Sequence, residues 1–207
     1  FPQPGWVEHD ASEIYRGAVS VAQRAVEKSG LGMDDIVAIG VTNQRETVVV
    51  WDRFTGEPVS NAIVWQCRRT TDACAELIRA GHSAEIRDRT GLVVDPYFSA
   101  TKLRWLLDRI PNGQRRAEDG ELCFGTVDSW LVYRLSGLRS HVTDVTNASR
   151  TMLLNIHDLE WDPAMLELFN VPEAILPEVH PSAGDFAITD GAELGGEIPI
   201  TGVAGDQ

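Results

Sequence analysis

Residues 36–51, IVAIGVTNQRETVVVW, decide the reading of this chain: two apolar runs enclose one short polar knot. The first, IVAIGVT at 36–42, is nearly continuous in apolar side chains, the pattern of a strand buried on both faces of a largely parallel sheet. The second, TVVVW at 47–51, opens a strand, turn and strand that run through DRFTGEP to VSNAIVW at 59–65. Between the runs, Asn43-Gln44-Arg45-Glu46 lies just beyond the carboxyl end of a strand, where ligands of open α/β sheets collect. An adjacent guanidinium and carboxylate suit neighbouring hydroxyls of a polyol, although the tetrapeptide by itself reads first as a solvated ion pair at a strand end.

Upstream, Ile14, Val19, Ala22 and Val26 recur at near-helical spacing and predict a helix over 11–28, stopped by Ser29-Gly30. Downstream, helices are expected over 70–80, 83–88 and 99–109, the last with Leu103, Leu106, Leu107 and Ile110 on its apolar face. CFG at 123–125 reads as a short strand, and Thr126 as the N-cap of a helix that carries Trp130, Leu131 and Leu135 and closes at Gly137. Residues 141–156 read as extended or turning, and 163–169 as a short helix with Pro163 in its first turn. The Gly- and acid-rich stretch 181–196 reads as a loop before a final strand at 198–205. Strands alternating with helices predict an α/β fold with a mixed sheet.

Composition narrows the function. The 207 residues carry 18 Lys plus Arg against 31 Asp plus Glu, a net charge of −13, which argues against nucleic acid or an anionic membrane face as a partner. A hydrophobic fraction of 43% with six tryptophans excludes a disordered chain. The three cysteines, Cys67, Cys74 and Cys123, show no C-x-x-C spacing, so a reduced, cytoplasmic setting is expected. No apolar run approaches the length of a membrane span, and none of the five histidines shows metal-ligand spacing or a nucleophile context. Neither G-x-x-x-x-G-K-[ST] nor G-x-G-x-x-G occurs. The chain opens at Phe1 inside a loop-like FPQPGW and stops at GVAGDQ, so it reads as a fragment.

Further candidates lie at other strand and helix ends. Trp65, in WQCRR at 65–69, suits the carbon face of a small polar ligand or a place in the core; Arg68 and Arg69 suit phosphate or, on so acidic a chain, neighbouring carboxylates. Tyr97 sits in a loop ahead of a helix, where its hydroxyl can face a cleft or simply pack. The stretch TDVTNASR at 143–150 is dense in hydrogen-bonding side chains and suits a network supporting a site or a site itself. Asp206, in GVAGDQ, ends a strand; there desolvation would raise its pKa and fit it for a general base, though Asp in such a turn can also satisfy its own backbone.

Together, GWVEHD at 5–10, GVTNQRET at 40–47, NAIVWQCRRT at 61–70, TGLVVDPYFSATKLRWLLD at 90–108, FGTVDSWLVYRL at 124–135, HVTDVTNASRTMLLNIHDLEWD at 141–162 and IPITGVAGDQ at 198–207 resemble the FGGY carbohydrate kinases. The match covers essentially the whole chain in the family's order, and NQRET with WQCRR is its glycerol-specific version. The resemblance implies a ribonuclease H-like, actin-like ATPase domain whose opening strands are missing. Residues 1–197 would be a partial N-terminal, glycerol-binding domain and 198–207 the strand entering a C-terminal one. It implies ATP-dependent phosphorylation of glycerol to sn-glycerol 3-phosphate by a full-length cytoplasmic enzyme, a homodimer or homotetramer. ATP and Mg2+ would be held outside this chain, leaving the fragment inactive.

By the same resemblance Arg45 and Glu46 bind glycerol hydroxyls, Tyr97 adds a hydrogen bond and Trp65 packs against the carbon backbone. Asp206 is the base for the attacking hydroxyl, and Gln207 its substrate-contacting neighbour. Some bacterial members hold fructose 1,6-bisphosphate through a glycine and an arginine near 190–197; Gly195 and Glu197 stand there in this chain, and a carboxylate would repel the phosphate. The alternatives are another sugar kinase of the family, or a non-catalytic polyol-binding module.

Overall fold

A computed structural model describes residues 2–206. Its elements begin with β1 (Glu8–His9), α1 (Ala11–Ser29), β2 (Ile39–Val41), β3 (Val49–Asp52) and β4 (Ala62–Ile63). Helices α2 (Thr71–Arg79), α3 (Ser83–Thr90), α4 (Ser99–Leu107) and α5 (Gly113–Glu118) follow, then β5 (Leu122–Gly125) and α6 (Val127–Leu135). The chain continues through β6 (Val142–Asp144), α7 (Val145–Ala148), β7 (Leu154–Asn155), β8 (Glu160–Trp161) and α8 (Pro163–Leu168). It then forms β9 (Glu178–His180), β10 (Ala183–Ile188) and β11 (Pro199–Val203).

The strand buried on both faces is β3, not β2. Val48, Val49, Val50 and Trp51 are all fully buried, and they alternate between two cores. Val48 and Val50 face one core with Leu103, Leu107, Phe124 and Met152. Val49 and Trp51 face the other with Tyr15, Cys123, Trp130 and Val132. Each fully buried side chain of this size is worth about 1.5–3 kcal/mol. β5 pairs antiparallel with β3, Val49 opposite Gly125 and Trp51 opposite Cys123. Gly125 lets α6 pack tightly against the end of β5, since a Cβ there would lie 2.4 Å from the Ser129 Cβ.

β2 is shorter and wetter than its apolar run predicts. Ile36 is taken up by closing the preceding 3-10 turn, its N–H donating to the Met33 carbonyl at 3.0 Å, and Val37 is 86% exposed. Within β2 only Val41 is buried, because the strand stands last in the order β10–β11–β2. β11 runs parallel to β2 and antiparallel to β10, which makes the sheet mixed, as expected. β10 itself corrects the expected loop over 181–196: its sequence AGDFAI buries only Phe186, and the strand forms on the edge that β11 offers. Composition alone does not announce such a strand.

Helix ends follow their chemistry. Asp10 caps α1, its Oδ1 accepting from the N–H groups of Ser12 and Glu13 at 2.8 and 3.2 Å, and Gly30 closes the helix in a left-handed conformation at φ 75°. Only the first half of α1 is packed, through Ala11, Tyr15 and Val19; Ala22 of the expected apolar face is exposed. Thr126 stands at the N-cap of α6 as expected, but its hydroxyl donates to the Asp128 carboxylate instead of capping the helix. All three cysteines are free and buried. Among the described residues no helix is long and apolar enough to cross a membrane.

His141 lies against Trp51 and Tyr133, and its Nε2–H donates to the Phe124 carbonyl at 2.7 Å. Burial holds its pKa down at about 4, below the ordinary 6.5. Between those values the unfolded chain binds a proton that folded His141 refuses, so stability is full above about pH 6.5 and is lost as the pH falls toward about 4. Denaturant midpoints measured across that window should decline with falling pH; a constant midpoint would refute the assignment.

Candidate functional site

The polar knot emerges where β2 ends and the doubly buried run begins, so the two cores fix its position. Asn43 is the first anchor. Its amide donates to Asp128 Oδ1 at 2.9 Å and to Asn147 Oδ1 at 2.6 Å, tying the knot to α6 and α7. Asp128 is fully buried, and burial pushes its carboxyl pKa up against hydrogen bonds from Thr126, Thr143 and Asn43. Glu46 is the second anchor. It is buried with a left-handed φ of 58°, an unusual conformation for a residue with a Cβ.

Both ends of Glu46 are held. Its Oε1 accepts from Arg150 Nε at 2.7 Å, and its carbonyl accepts from Lys102 Nζ at 3.0 Å. Arg150 also lies over the Phe98 ring, 4.9 Å from the centroid. A carboxylate has about four lone-pair sites, so the Arg150 contact leaves capacity for a ligand hydroxyl.

Arg45 and Asp206 meet across the site, Nε to Oδ1 at 3.3 Å, although 161 positions separate them. Gly205 makes room for this: a Cβ there would lie 2.4 Å from Arg45 Cδ. Its N–H donates to Thr146 Oγ1 at 2.8 Å, and Thr146 in turn donates to Asp144, the N-cap residue of α7. The Asp206 carboxylate is 39% exposed and rides three residues past the end of β11. Gln207 lies outside the described residues.

Trp65 and Tyr97, both half-buried, form the aromatic side, with ring centroids 5.3 Å apart and planes tilted by 56°. The Tyr97 pKa is raised, first by burial and then by the Glu46 charge, with Arg150 and Arg45 opposing. One phenol thus feels Glu46, Arg150, Arg45 and Asp206 together, which places it among these charges. The rim offers two cations, two carboxylates, a phenol and an indole face. Such a set can grip a small uncharged molecule rich in hydroxyls through directed hydrogen bonds.

The family model for the N-terminal domain of the FGGY family of carbohydrate kinases matches residues 1–207. The chain belongs to the FGGY family. It is 58% identical over all its residues to glycerol kinase of Paracidovorax citrulli and 56% identical to glycerol kinase 2 of Thermotoga maritima. It spans 41% and 42% of those relatives, about two fifths of their length. Among solved structures, that of Plasmodium falciparum glycerol kinase with ADP superposes with a TM-score of 0.93 at 36% identity, covering 99% of this chain and 41% of that one. The α/β architecture is therefore the ribonuclease H-like, actin-like ATPase fold of the FGGY kinases.

Within this family member, Arg45, Glu46, Trp65, Tyr97 and Asp206 come from four separate segments, linked by the Arg45–Asp206 ion pair, the Trp65–Tyr97 ring contact and the charges Tyr97 feels. Arg68 and Arg69 take the carboxylate option: Arg68 pairs with Asp95 at 3.0 Å and Arg69 with Glu8 at 2.7 Å, the latter stacked on Trp6. Arg150 and Lys102 carry no local sequence mark of a site residue. Arg150 belongs to the dense polar stretch 143–150, but Lys102 on a helix reads as a solvent-facing residue.

Removing Arg150 leaves the buried Glu46 carboxylate without a cation it touches. Arg150→Ala should destabilise the fold by about 2–3 kcal/mol. In urea unfolding, much of that loss should vanish in an Arg150→Ala/Glu46→Gln double variant, and strictly additive losses would count against the coupling.

Proposed function

We propose that these residues are the acceptor half of an ATP-dependent glycerol kinase, which phosphorylates glycerol to sn-glycerol 3-phosphate. The observation that carries the reading is the meeting of Arg45 and Asp206 beside Glu46, Tyr97 and Trp65. It is supported by the chain's similarity to the two glycerol kinases. In this reading the Arg45 guanidinium donates to one hydroxyl, Glu46 accepts from its neighbour, and the Tyr97 hydroxyl adds a further bond. The Trp65 face lies along the carbon backbone.

Asp206 takes the proton of the attacking primary hydroxyl as its oxygen bonds to the γ-phosphorus and the bond to ADP breaks. Held against Arg45, the carboxylate is aimed before substrate arrives. Gln207 is its substrate-contacting neighbour in this scheme. Residues 1–197 would make up a partial N-terminal domain, and 198–207 the strand leading into a C-terminal one. The working enzyme would be a cytoplasmic homodimer or homotetramer.

Mg2+ belongs to the proposal only as the ion that neutralises phosphate charge in such reactions. Among the described residues no group of three or more His, Cys, Asp or Glu side chains gathers to hold a metal ion, so they do not fit it. ATP and the ion would be bound by parts of the enzyme beyond these 207 residues.

In the full-length enzyme, Asp206→Asn should cut kcat by about 100- to 10,000-fold while changing glycerol affinity little; near wild-type turnover would sink the assignment. Arg45→Ala and Glu46→Gln should each raise the glycerol KM, and an unchanged KM would remove them from the site. The 207-residue chain alone should form no glycerol phosphate in a coupled assay, and turnover by it would overturn the division of the site.

A further inference from the structure

We infer that Lys102 is a positioning residue whose Nζ ties the Glu46 knot to the Tyr97 loop, and so sets the spacing of the carboxylate and phenol that grip the polyol. The inference rests on the polyol reading above. Lys102 is fully buried in α4, and its Nζ donates to the Glu46 carbonyl at 3.0 Å and to the Tyr97 carbonyl at 2.6 Å. These acceptors lie 51 residues apart in the chain and belong to two segments without regular structure. Ser99, in the first turn of the same helix, lies 3.5 Å from the same Glu46 carbonyl through its Oγ. The start of α4 therefore works as a plate on which both loops are mounted.

Packing alone does not call for a lysine here. The surroundings of α4 are apolar, and a methionine or leucine would fill a similar volume without burying an amine. What the amine adds is one short bond to each of two backbone carbonyls from different loops, 3.0 Å to Glu46 and 2.6 Å to Tyr97. One of them belongs to Glu46, whose left-handed conformation persists only if its surroundings hold it.

The two bonds do not depend on the charge of the amine. Burial brings the Lys102 pKa down to about 7, opposed by the charge of Glu46 and by Cys67, Cys74 and Asp95. Either form of the amine supplies the two N–H donors that the carbonyls accept.

Lys102 touches Glu46 and Tyr97 through their backbones, so its loss should misplace the hydroxyl-binding groups without removing any of them. The test compares wild type, Lys102→Met, and Lys102→Gln, which keeps two N–H donors on a shorter arm, in the full-length enzyme. The glycerol KM, and the Kd by calorimetry, should rise at least tenfold in Lys102→Met and less in Lys102→Gln. Both variants should keep kcat at saturating glycerol within threefold, and the ATP KM unchanged.

Because Lys102 acts through Glu46, adding Lys102→Met to Glu46→Gln should raise the KM far less than it does in wild type. If Lys102→Met does not fold, Lys102→Gln carries the same comparison. A glycerol KM within twofold of wild type in the folded variants, or a loss confined to kcat, overturns the inference and leaves the polyol reading standing. Wild-type enzyme without affinity for glycerol overturns both.

Discussion

The site in this chain depends on the alternation of Val48, Val49, Val50 and Trp51 between two hydrophobic cores. A strand with one solvated face can shift by two residues at modest loss, but here both faces are packed and a slip in either direction puts every side chain against the wrong neighbours. The register of β3 against β5 is therefore fixed, and so is the point at which residues 43–47 leave the strand. The positions of Arg45 and Glu46 are consequences of that packing before any polar contact is counted.

The polar contacts then restrict the knot itself. Asn43 is held from one side by Asp128 and Asn147, and Glu46 from the other by Lys102 and Arg150. Between these anchors Arg45 extends toward the turn after β11. A segment tied at both ends has lost most of its freedom during folding, so less entropy remains to be given up when a ligand binds. The strain of a left-handed Glu46 fits this picture, since a strained residue persists where its surroundings over-determine it.

How far the sequence revealed all this depends on the kind of interaction. TVVVW declared a strand because β-branched and aromatic residues have few other uses in such density. IVAIGVT overstates its strand because an apolar run does not say which of its residues find partners; Ile36 goes to a turn and Val37 to solvent. β10 was invisible because its stabilisation comes from the neighbouring edge and not from its own side chains. The meeting of residues 45 and 206 is a tertiary fact that no local pattern encodes; the likeness to a known family supplied it. Lys102 was hidden by its own chemistry, since a lysine on a helix is almost always on the water side.

The pairing of charges at the rim has one more effect. Arg45 is matched by Asp206 and Arg150 by Glu46, so the four groups sum to zero on a chain whose net charge is −13. A balanced cluster projects little potential beyond its own diameter, and salt has little to screen. A charged solute approaching these matched pairs is neither steered nor repelled by them, so selection here falls to hydrogen-bond geometry and fit.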